Sequence, residues 1–518
     1  MSARRPSTGR AARSGPGAWR WPALAVLLLA LVAGVVVQRN RTDQAPMAGQ
    51  VDVAGLLPVA SGPAALSSTW YCAGGTATGT KDGAAEQTVH IANSGGQALT
   101  AQVTVMPSEG ATAVRALTVP ARGSVDLVLS TVVVAPSSAA VVEVAGGEVA
   151  VSHLLAGPTG KTVAACSSSP SSHWYLPAGT TKPGTRQLLA VFNPFPSEAV
   201  VGIGFETDDG TRTPGKWDGL VVPGQRVVLL DVTEVVTLRA QIATTVEARS
   251  GRVIVDQIQL SDGTNATVES LAVTPAAPAS SPTWWFADGP TGGGVSTSIS
   301  VQNPSDQTAE VQVQIRLDDA ATNGEVEPFE VSVPAHHYGT VDVSGAGRVP
   351  QGIGYTAVAR STNGVPIVAA RLVGAVAPAT AIGTTFTLGS PVLAGRWMVP
   401  VGSTPVASSV FVVVTNPSPT EAVKVTVSTL TDGVSGPLAT GDGVLIPAGG
   451  RGGFEIPAGV AGSPSSVVVE SDRGVVVESR VVFSAGGLAE PLAVPLAPWA
   501  VVATYGLPDV TPAQAPGG

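Results

Sequence analysis

A phrase of about 100–115 residues occurs four times in this chain, and it constrains the fold more than any other feature. Each occurrence opens on a tryptophan: Trp70, Trp174, Trp284 and Trp397. Nineteen residues after the last three stands Asn-Pro, as Asn193-Pro194, Asn303-Pro304 and Asn416-Pro417. The first occurrence has Asn93-Ser94, 23 residues on. A proline closing an apolar run follows, at Pro120, Pro223, Pro334 and Pro447, and then a glycine turn at Gly147, Gly251, Gly364 and Gly474. Four landmarks in one order, four times over, mark tandem structural units.

Within a unit the residues read as strands. The apolar mass is Val, Ala and Leu, broken by 61 Gly and 42 Pro, which favours many short strands over helices. In the second unit Val201, Ile203 and Phe205 alternate with Gly202, Gly204 and Glu206, the period of a half-buried strand. Asn193-Pro194 ends the strand before it, because proline cannot donate to a ladder. Residues 244–249 and 253–260, around Ser250-Gly251, read as a β-hairpin, as do the runs flanking Asn363-Gly364 and Asp472-Arg473-Gly474. Seven or eight strands per unit predict an all-β chain of four tandem Ig-like antiparallel β-sandwich repeats. A β-propeller in which each unit supplies a double blade is the second reading.

The expected layout is a basic segment at 1–21, a transmembrane signal anchor at 22–37 and a spacer at 38–65. Repeats follow at 66–170, 171–280, 281–391 and 392–497, then a disordered tail at 498–518. The anchor rests on PALAVLLLALVAGVVV, preceded by five Arg and followed by Arg39 and Arg41. That imbalance places the N-terminus in the cytoplasm and the body outside the cell membrane. Gln38-Arg39-Asn40-Arg41 is a poor cleavage context, which favours an uncleaved single-pass anchor over a signal peptide. Beyond residue 41 the chain has 21 basic and 37 acidic residues, which argues against nucleic acid as a partner. The two cysteines, Cys72 and Cys166, both lie in the first repeat and are expected to pair in an oxidising compartment.

Candidate chemistry is sparse. Asp208-Asp209 and Asp318-Asp319 fall where the other units have Asp432-Gly433 and Glu109-Gly110, so they read as β-turns before metal ligands. His336-His337 follows the Pro334 turn and reads as solvent-facing. Gly292-Gly293-Gly294 lacks a following Lys-Ser/Thr and reads as a loop rather than a phosphate cradle. No cofactor, metal or catalytic constellation is expected. The residue after each repeated tryptophan points to the opposite strand face. Tyr71, Tyr175 and Trp285 (Met398 in the fourth unit) are therefore candidate ligand-contact aromatics, with packing between repeats as the competing reading.

The Arg-rich anchor, the Trp-initiated repeats and segments such as Val301-Gln-Asn-Pro-Ser305 resemble an uncharacterised family of actinobacterial membrane-anchored extracytoplasmic β-rich proteins. The low Lys content, 5 against 23 Arg, agrees with a GC-rich source. The resemblance implies no activity and no site residues. The expected function is that of a non-enzymatic cell-envelope protein presenting sandwich domains to envelope proteins or cell-wall glycans. The alternative is a carbohydrate-binding array or an accessory subunit of a cell-wall polysaccharide enzyme.

Overall fold

A computed structural model describes residues 53–78, 84–265, 267–318, 326–399, 407–431, 433–456, 466–484, 486–497, 499–503 and 507. The expected basic segment and transmembrane anchor lie outside these residues, as do Asp319 and Asp432. Among the described residues no helix is long and apolar enough to cross a membrane.

The described residues from 53 onward form one compact unit, all-β apart from four short 3-10 turns. The first and third repeats each supply eight strands in the same order. In the third they are Thr283–Gly289, Val295–Asn303, Ala309–Leu317, Phe329–Val333, His337–Asp342, Tyr355–Ser361, Val368–Ala375 and Gly383–Leu388. The first, sixth, third and fourth strands form one antiparallel sheet, and the fifth, second, seventh and eighth form the other. The first and second repeats have the same order, with the fourth strand split in the second. Strand alternation turns Val311, Val313 and Ala357 of one sheet toward Ile299, Val301 and Ala369 of the other, closing a sandwich-like core around Trp284.

The expected hairpins at the glycine turns are not hairpins. Ile242–Ser250 lies between Ala199–Thr207 and His173–Leu176, so both its hydrogen-bonding edges are taken. The chain bends at Gly251 (φ +78°) and Ile254–Ser261 enters the facing sheet. In the fourth repeat Ser466–Phe483 is one continuous strand whose two halves belong to the two layers. A turn-rich dipeptide reports a bend; which edge remains free decides whether a hairpin forms.

The repeats then close on one another. The eighth strand of the first repeat, Gly160–Ala165, contacts that of the second, Ser270–Pro275, which contacts Gly383–Leu388 of the third. Leu488–Ala489 of the fourth contacts both the first and the third, completing a circuit. A small apolar cavity of about 60 Å³ lies where these strands converge. At every joint the 1-6-3-4 sheet of one repeat packs on the 5-2-7-8 sheet of the next. Val141 and Met106 pack in one cluster with Ala190 and Phe192, Trp285 and Val358 with Val413, and Met398 and Val468 with Ala92. Face-to-face sheets within a repeat and cyclic closure between repeats thus coexist.

Both ends of the body depart from expectation. The described part of the spacer, from residue 53, is built in: Leu56, Leu57 and Val59 are buried, and Ala60 bridges to Leu496. Leu56, Leu57 and Pro58 line the cavity, and Leu56, Leu57 and Val59 pack with Val392 of the fourth repeat while the Val59 N–H donates to Ser168 Oγ of the first, so the segment bridges the seam between them. The expected tail contributes the strand Ala500–Val502, paired with Val392–Ala394; its last residues lie outside the description.

Candidate functional site

The repeated landmarks are fold-making. Trp70, Trp174, Trp284 and Trp397 are all buried. In the last three the indole N–H donates to a carbonyl at the sheet-to-sheet bend, of Val253, Ile367 and Val475. The landmark asparagines are fully buried. Asn303 Nδ2 donates to the carbonyls of Gln307, Val333 and Pro334, and its Oδ1 accepts from the Ser305 N–H. One amide thereby ties the loop after the second strand to the turn before the fifth. Asn93, Asn193 and Asn416 repeat the arrangement.

The expected disulfide is present: Cys72 and Cys166 are bonded, 94 residues apart, and no free cysteine exists among the described residues. Of the candidate ligand-contact aromatics, Trp285 is a packing residue. Trp285 is 0 % exposed at the joint to the fourth repeat, and Tyr71 and Tyr175 lie half-buried against the repeat that follows each. The face opposite the core is covered by the next repeat, so a stacking ligand has no access to Trp285. Asp208 and Asp209 are turn residues paired with Arg239. His336 takes the left-handed conformation (φ +53°) at a turn and pairs with Asp306 at 2.7 Å. Among the described residues no group of acids, His and Cys could hold a metal.

Repeat symmetry acts as an internal control, and one joint breaks it. The cross-strand pair linking the seventh and eighth strands is apolar three times: Leu154↔Val163, Ile258↔Val273 and Leu372↔Phe386. In the fourth repeat the register set by Val481↔Ala489 and Glu478↔Leu492 puts Arg480 and Glu490 there. One position back, His153, Gln257, Arg371 and Ser479 correspond; the position before that is Ser152, Asp256, Ala370 and Glu478. At the joint of the third and fourth repeats these residues make a buried ionic network. Arg371 bonds Glu478 at 2.8 Å, Glu490 at 3.0 Å and the carbonyl of Asp288. Arg480 bonds the Asp288 carboxylate and lies 3.4 Å from Glu490, and Arg451 bridges Asp288 (2.9 Å) and Asp318 (2.6 Å). The backbone N–H groups of Ala287 and Asp288 donate to Glu478.

The electrostatics follow from burial and pairing. Burial would raise the Asp288 carboxyl, but the guanidiniums of Arg480, Arg451 and Arg371 hold it below the usual range. Burial pushes Glu478 up to about 7 against the pull of Arg371. Burial also opposes the Arg371 charge, yet Glu478, Glu490 and Asp288 keep it protonated. A buried ion network is seldom more stable than apolar packing of similar volume, and the three sister pairs show that apolar side chains serve here. The fold therefore does not require the Arg480–Glu490 pair at this register, which marks the joint as a functional candidate. Beside it opens a cleft of about 430 Å³, lined by Thr291, Val373, Phe411, Arg480, Val482 and Glu490 among others.

A second polar cluster joins the first and second repeats. His153 Nε2 faces Asp256 at 3.7 Å, and its Nδ1 meets the Gln87 side chain at 3.2 Å. Burial pulls His153 down to about 4 and pushes Asp256 well above its ordinary value, although the Ala73 N–H pulls the other way. Asp256 and Glu478 are sister residues, as are Ala73 and Ala287. No cleft described here is lined by His153 or Asp256.

Sequence reasoning passed over the network. Its signal was present as single charges inside apolar strands, Ala369-Ala370-Arg371-Leu372 and Val477-Glu478-Ser479-Arg480-Val481. Asp288, Arg451 and Glu490 join them only through folding.

Residues 156–373 match the model of a family of unknown function (DUF5719), spanning the second repeat and most of the third. No curated protein is significantly similar to the chain. Among solved structures, a tetra-tandem repeat in the extending region of a large adhesion protein aligns at 13% identity. It covers 81% of this chain and 98% of that one, with a TM-score of 0.10.

Proposed function

We propose that the chain is a non-enzymatic cell-envelope protein. In this reading a single N-terminal segment anchors it, and four Ig-like repeats face outside the cell as a binding platform for protein or glycan partners. The observation that carries the reading is the contrast between joints. Repeated positions serve the fold, and the joint that departs from its sisters carries a charged network beside an open cleft. The Arg-flanked apolar segment and the Cys72–Cys166 disulfide support an extracytoplasmic location. In this reading the carboxylates of Asp288, Glu478 and Glu490, each paired with a guanidinium, are members of a structural ion network rather than acid–base catalysts.

The test is photo-crosslinking in living cells from Thr291 and Thr380 on the cleft rim. A specific envelope partner is the expected product. Hydrolysis of wall polymer by the purified chain, lost on one point substitution, would overturn the non-enzymatic reading. The carbohydrate-binding alternative is favoured by a cleft of about 750 Å³ between the second and third repeats. Thr180, Thr185, Ser261, Ser298, Thr340 and Thr384 give it a hydroxyl-rich lining.

A further inference from the structure

The cleft beside the ionic network has a floor of both signs, and that decides what fits it. Arg480 is 29% exposed in its side chain and lines the cleft together with Glu490, whose side chain is 1% exposed. Among the described residues Glu490 Oε1 and Arg480 Nε are buried at the base of the cleft without a hydrogen-bond partner; they face each other at 3.4 Å, beyond good hydrogen-bond geometry for a charged pair. Among the buried charges Arg371, Arg451 and Arg480 are matched by Asp288, Glu478 and Glu490, with the exposed Asp318 on the outer side of Arg451. A ligand of one charge would bring an unbalanced charge onto this matched floor. A ligand carrying both charges a few ångströms apart can complement the donor and the acceptor together. The walls, Val373, Val482, Leu488 and the Phe411 ring, suit an aliphatic group, and the volume is that of a small-molecule site.

We propose that this cleft binds a small zwitterion of the α-amino-acid class. Its carboxylate lies on Arg480, its ammonium on Glu490 and its aliphatic side chain against Val373, Val482 and Phe411. This inference goes beyond the platform reading and does not depend on which macromolecule the platform holds.

The experiment is calorimetric titration of the full chain, in detergent micelles, with L-valine, D-valine, L-alanine, isobutyrate and isobutylammonium. At least one amino acid should bind with Kd below about 1 mM, and the singly charged analogues at least tenfold more weakly. The double variant R480L/E490V installs the side chains that the first repeat carries at this register. It should lose binding, and because it also takes Arg480 from Asp288 and Glu490 from Arg371 its thermal midpoint should fall while its circular dichroism spectrum stays that of the folded parent. T380W, which narrows the cleft from its exposed rim without touching either charge, should also weaken binding at least tenfold. No binding of any amino acid, equal binding of a singly charged analogue, or binding retained in both variants would overturn the proposal. Crosslinking to an envelope partner alongside a silent titration would leave the platform reading standing and remove this one.

Discussion

Replacing Asn303 by alanine removes a buried amide that donates to three carbonyls and accepts one N–H. The backbone groups left behind have no water to turn to, so the loss should be about 3 kcal/mol, read as a lower denaturation midpoint. Trp285→Ala tests the corrected role of that residue. A fully buried indole at a joint should cost about 3–5 kcal/mol, whereas a ligand-stacking tryptophan would leave stability unchanged. Glu206 sets a pH limit. It is buried at the joint of the second and third repeats, and burial pushes its carboxyl from 4.5 up to about 7, although Thr245 and Gln302 hydrogen-bond to it. A raised carboxyl pKa means that its contribution is full below the unfolded value. That contribution, on the order of 3 kcal/mol, is lost as pH climbs through about 7. Stability measured from pH 5 to 9 should therefore fall, and Glu206→Gln should flatten part of the fall; an unchanged slope in the variant would refute the assignment.

At the scale of elements, strand positions were legible in the sequence and strand partners were not. Alternation at Val201, Ile203 and Phe205 marked a strand that the structure contains as Ala199–Thr207. The glycine turns suggested hairpins because period and turn chemistry are local, whereas pairing depends on which edges other strands have already filled. The disulfide ties the first strand of the first repeat to the segment after its eighth strand, so it closes nearly the whole repeat. Its removal in Cys72→Ser/Cys166→Ser should cost about 4–5 kcal/mol by loop entropy. Reductant should lower the melting temperature of the parent and leave the variant unmoved.

Cyclic closure is a property of the whole molecule. In an open array each repeat has at most two neighbours and the ends fray; here every repeat, first and fourth included, is packed on both sheet faces. Calorimetry should accordingly show the four repeats unfolding in one cooperative transition, and a ladder of separate transitions would contradict the closed circuit. Leu56→Ser/Leu57→Ser, in the segment lying over the seam, should lower that single transition, because both side chains are buried there. The sequence alone determined the number of repeats, the all-β class, the core tryptophans, the turns and the paired cysteines, because each is written in local spacing or in residue type. Tertiary structure decided the rest. Face-to-face closure covered Trp285, and it gathered Asp288, Arg371, Arg451, Glu478 and Glu490 from five separate stretches of the third and fourth repeats. Those contacts join residues up to 190 positions apart, and no local pattern encodes which distant sheet will lie against them.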